Sequence, residues 1–133
     1  MRHIFELTIP AATAAVSPEE LEIILVKGAL TQVEIAFPPG CANLVHVVIK
    51  SELFQISPVN PDGTHHWDNY TEVFNLNYPL TDKAHKLRLV GWSPGTYFPH
   101  TITFRLDVTP SAKDDKTAIQ QFISYLSRVP VEV

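Results

Sequence analysis

The stretch His100-Thr101-Ile102-Thr103-Phe104-Arg105-Leu106-Asp107-Val108 alternates apolar and polar residues with period two. Successive side chains of an extended chain point to opposite sides, so Ile102, Phe104, Leu106 and Val108 share one face and Thr101, Thr103, Arg105 and Asp107 the other. One oily face needs a core, and the stretch reads as a half-buried β-strand. Upstream the pattern recurs in pieces. His3 to Ile9 sets Phe5, Leu7 and Ile9 against Ile4, Glu6 and Thr8, and stops at Pro10. Thr31 to Phe37 alternates as cleanly. Pro38-Pro39-Gly40 ends it, because two prolines supply no ladder donors and glycine tolerates positive φ.

Ser17-Pro18-Glu19-Glu20 has the composition of a helix start. The residues after it, Leu21 to Val26, are rich in β-branched side chains and are cut by Lys27-Gly28 too soon for a stable helix, so they read as a strand. Leu44 to Ile49 is apolar around His46, as expected of a central strand. Ser51 to Ser57 bends, and Pro58 to Asn69 is the longest run of turn residues. Tyr70 to Leu76 and Lys86 to Trp92 add two strands, and Ser93-Pro94-Gly95-Thr96 is a turn before the final one. About seven or eight short strands without intervening helices predict a mainly β domain over residues 1–108, an antiparallel β-sandwich of Ig-like or jelly-roll type.

After Val108 the period changes. Thr109-Pro110-Ser111 offers a break and a cap, and Asp114 and Asp115 fall in a first turn where the helix dipole favours acids. Ile119, Phe122, Ile123 and Leu126 then follow at i, i+3, i+4 and i+7, so residues 109–133 read as one amphipathic C-terminal α-helix and an extended tail. Burying those four side chains would contribute on the order of 6 to 10 kcal/mol before ordering entropy is subtracted. The stripe either folds back on its own sheet or docks on a neighbouring copy. The tail, with Val131 and Val133, either frays in solvent or adds to a sheet edge of another chain. Together these positions are the candidate partner contacts.

A chain of 133 residues fits one domain. Cys41 is the only cysteine, so no bridge forms within the chain. Fourteen acidic against ten basic residues, with no basic cluster, give no footprint for a nucleic acid. The first residues carry Glu6 where a signal peptide would be apolar, and no run approaches the ~20 apolar residues of a membrane span. A soluble, cytoplasmic protein without membrane or nucleic-acid partners is expected.

Chemistry-bearing patterns are sparse. Cys41 and His46 lack an orienting third residue, and Cys41 reads as a small buried apolar side chain. His65 and His66 are neighbours and point to opposite sides of an extended chain, so they do not share a metal; Asp62, Asp68 and Asn69 do not have the spacing of a calcium loop. No glycine-rich phosphate loop, paired carboxylates or nucleophile elbow is present, so no catalytic residue, metal or cofactor is assigned. His65, His66, Trp67 and Tyr70, with Trp92 and Tyr97 as further aromatics, make the 58–70 loop a candidate contact surface for a protein or a sugar.

The stretch Phe37-Pro38-Pro39-Gly40-Cys41-Ala42-Asn43-Leu44-Val45-His46-Val47, with the closing His100 to Leu106, resembles small β-rich accessory proteins of tailed-phage virions, including head-decoration proteins. That resemblance implies a non-enzymatic virion subunit bound to a capsid lattice. The expected function is therefore a structural or assembly protein that forms a homo-oligomer; the alternative is a carbohydrate- or ligand-binding module using the 58–70 loop.

Overall fold

The computed structural model describes residues 1–52, 54–60 and 62–111. Among them six strands follow one another: β1 (Arg2–Ile9), β2 (Glu19–Phe37), β3 (His46–Ser51), β4 (Phe54–Ser57), β5 (Tyr70–Trp92) and β6 (His100–Pro110). They form one antiparallel sheet in the order β1-β6-β2-β5-β3-β4. The mainly β, antiparallel reading holds, and the residues after the helix-like Ser17-Pro18-Glu19-Glu20 are extended. The expected C-terminal helix and tail, with Ile119, Phe122, Ile123, Leu126, Val131 and Val133, lie outside the described residues.

The strand count is corrected to six among the described residues because two expected breaks are bends within a strand. Leu21–Val26 and Thr31–Phe37 are both parts of β2, and Tyr70–Leu76 and Lys86–Trp92 are both parts of β5. The β2–β5 ladder loses register between Val26 and Gly28 and again between Leu30 and Gln32, yet pairing resumes each time. Gly28 (φ 154°) makes the first irregularity possible: a Cβ there would run into the Thr109 carbonyl oxygen and lie 2.8 Å from Pro110 Cα. At the second, Leu30 faces Val108 and Gln32 faces Asp107, so Thr31 is an extra residue against β6, a bulge. Its hydroxyl donates to the Asp107 carbonyl at 3.2 Å.

The ladder is one continuous sheet where two packed sheets were expected. The bends let that sheet curl. The first half of β2 pairs with β5 alone, the second half with both β5 and β6. Across the curl, a Cβ on Gly91 of β5 would collide with Ile9 and sit 3.2 Å from Leu7 Cδ2, both on β1, three strands away in sheet order. Glycine at 91 is what admits that close approach. Inside the curl lies one apolar cluster, with Leu7 and Ile9, Val33 and Ile35, Val47 and Ile49, Leu87 and Leu89, and Ile102, Phe104 and Leu106. The face read from the His100–Val108 stretch is therefore the buried face.

Candidate functional site

Strand ends gather the candidate side chains at one end of the sheet. Phe37 pairs with Tyr70, His46 with Trp92, and Ile9 with His100, so the turn 38–45, the loop 58–69 and the turn 93–99 are neighbours. Asp68 joins the first two: its Oδ1 accepts from the backbone N–H groups of Gly40 (3.0 Å) and Ala42 (3.1 Å). Asn69 N–H donates to the Pro38 carbonyl. Ala42 and Asn43, with φ of 50° and 60°, are the left-handed centre of a tight turn that the Leu44 N–H closes on the Cys41 carbonyl at 2.8 Å. His100 Nε2 reaches the Gly40 carbonyl at 3.2 Å, which brings in the start of β6.

The 58–69 loop is fastened from within. The Gln55 side-chain amide points at the carbonyls of Pro58, Asn60 and Gly63 at 2.8, 3.0 and 3.0 Å. His65 forms an isolated antiparallel bridge with Val47, extending the edge of β3 that β4 leaves off.

From that bridge the two histidines diverge, as expected for neighbours in extended chain. His65 turns inward. Its Nδ1 lies 2.8 Å from Glu72 Oε2, its Nε2 lies 2.9 Å from Ser57 Oγ, and its ring stacks on Phe74. His66 turns outward, 5.0 Å between ring centroids from His46, which stacks on Trp92. The Thr64 hydroxyl serves both, 2.8 Å from His46 Nδ1 and 3.1 Å from His66 Nδ1. Burial, with a smaller push from His66, lowers the affinity of His46 for a proton. His65 is also lowered, burial outweighing the opposing pull of Glu72.

Glu72 is the common partner, since Trp67 Nε1 donates to its Oε1 while His65 holds Oε2. Ser57, His65 and Glu72 have the hydrogen-bond order of a nucleophilic triad. Ser57 is only 4% exposed, and neither it nor His65 lines the nearby recess. In this fold the chain of bonds satisfies polar groups beneath the loop. Cys41 is buried in the apolar cluster, and its thiol is pushed up to about 11, first by burial and then by Asp68. Among the described residues no three His, Cys, Asp or Glu side chains group as metal ligands.

Four aromatic rings at this end of the sheet are exposed. Trp67 (42%) and Tyr70 (51%) lie 5.0 Å apart between ring centroids, beside a shallow recess of about 350 Å³ lined by Asn43, Thr64, His66, Trp67 and Glu72. Tyr97 (88%) and Phe98 (72%) stand clear of the surface on the turn before His100. Of the loop residues singled out from sequence, His66, Trp67 and Tyr70 reach the surface, whereas His65 is buried. Gln55, Ser57, Glu72 and Phe98 were not anticipated. Glu72 had a signal: it shares the inward parity of Phe74, Leu76 and Tyr78 on β5.

No family model and no curated protein matches the chain. Among solved structures, the Yersinia pseudotuberculosis-derived mitogen is similar at 10% identity and a TM-score of 0.37, over 86% of this chain and 91% of that one. At that TM-score nothing about this chain follows from it. No described helix is long and apolar enough to cross a membrane.

Proposed function

We propose that this chain is a non-enzymatic assembly subunit that makes protein–protein contacts through the loop end of its sheet, with the curled sheet acting as a sandwich-type scaffold. The carrying observation is the pair of exposed aromatic sets, Trp67 with Tyr70 and Tyr97 with Phe98, on turns fixed by internal hydrogen bonds. Tyr, Trp and Phe bury large rings at small entropic cost and are enriched at protein interfaces, and rigid supports reduce the ordering cost of association. A sugar site draws less support. Of the polar groups beside the ring, both Glu72 oxygens and the Thr64 hydroxyl are already engaged with Trp67, His65, His46 and His66. Copies of this chain and, following the resemblance, a capsid lattice on a virion are the implied partners.

Sedimentation velocity over a wide concentration range tests the reading. Self-association is expected in the natural chain, and Tyr97→Ser with Phe98→Ser should weaken it without lowering the melting temperature. A natural chain that stays monomeric at its highest soluble concentration, or association untouched by the double change, removes the proposal.

A further inference from the structure

Three of the chain's histidines meet at one loop, and the loop straddles the edge of β3, with His65 gripping from the inside and His66 from the outside. We infer that Thr64–Asn69 is an acid-released clasp, closed while His46 and His65 are neutral and opened when they take up protons. The inference rests on the loop-end contact reading, whose Trp67 and Tyr70 the clasp positions.

Each contact depends on the protonation state. His65 Nδ1 donates to Glu72, so its Nε2 must accept from the Ser57 hydroxyl. A proton on Nε2 removes that acceptor and places a cation in a buried pocket. The groups facing His65 are Ser57 from β4, Glu72 from β5 and His66 along the loop. Those facing His46 are Thr64 and His66 from the loop and the Trp92 ring from β5. Glu72 is the carboxylate that His65 meets, and it also accepts from Trp67. Asp68 is turned away, to the amides of Gly40 and Ala42. Charging both members of the His46–His66 pair would set two cations on rings 5.0 Å apart.

The sign follows from the depressed proton affinities of His46 and His65. Both fall below the ordinary 6.5, so the stabilisation they give the closed loop is fully present above that pH and is lost as pH falls below it and through the depressed values.

Hydrogen exchange of the full chain at pH 7.5 and pH 5.0, corrected for intrinsic rates, tests the clasp. Amides of Thr64–Asn69 should exchange severalfold faster in acid, while those of the β2–β6 ladder keep their protection. In His46→Asn/His66→Asn the acid response should shrink severalfold, His65 alone remaining to drive it, with the loop still closed at pH 7.5. If that variant fails to fold, His66→Asn alone, at an exposed position, should shift the opening to lower pH. Equal loop protection at both pH values in the natural chain overturns the inference, as does an acid response that neither variant alters. Loop opening that leaves self-association unchanged keeps the clasp and removes Trp67 and Tyr70 from the contact surface.

Discussion

Gln55 holds the 58–69 loop with a single amide group aimed at three carbonyls. Replacing it with glutamate keeps the shape and turns donors into acceptors, so oxygen would face oxygen. The change Gln55→Glu should cost about 1–3 kcal/mol, the penalty for stranding partly buried carbonyls, read as a lowered urea midpoint at pH 7.5. The Cys41 thiol gives a second expectation at this scale. Buried and pushed up to about 11, it should resist alkylation at pH 8 in the native protein and react once the chain is unfolded. A cysteine modified as fast as free thiol would contradict that placement. The site itself was only partly legible. His-His-Trp in a turn-rich stretch drew attention to the loop, and period two in extended chain separated His65 from His66. Glu72, Ser57 and Gln55 lie on strands, and nothing in their own neighbourhoods says which loop will fold over them.

Period two reads faces well and lengths poorly. Leu21–Val26 and Thr31–Phe37 each show the right buried side, yet they are one strand, because a bend and a bulge between them preserve pairing while shifting the alternation. The Lys27-Gly28 dipeptide signals an ending when read alone. In the sheet it is the point where β2 passes beneath Thr109 and Pro110 with no room for a Cβ. Gly28→Ala should therefore destabilise the protein by about 2 kcal/mol or more, from the unfavourable φ and the backbone clash together. A variant that melts with the natural chain would show that β2 does not depend on this bend. Gly91 has the softer version of the constraint, since the atoms above it are the side-chain ends of Ile9 and Leu7.

For the molecule as a whole, the core cluster named above is supplied by strands that end at Pro110. A chain truncated after Ser111 should keep a single cooperative thermal transition. A broad, non-cooperative melt would show that later residues complete the core. The sequence pattern captured the antiparallel class and the buried face; it could not show that β1 closes against β6. That pairing joins the two ends of the described chain, with the Met1 amino group donating to the Val108 carbonyl at 2.9 Å and Arg2 opposite Asp107. It follows that β1, the earliest translated of the six described strands, has no neighbour to zip onto until β6, the latest of them, has been made. The nascent chain must keep Phe5, Leu7 and Ile9 out of trouble throughout synthesis.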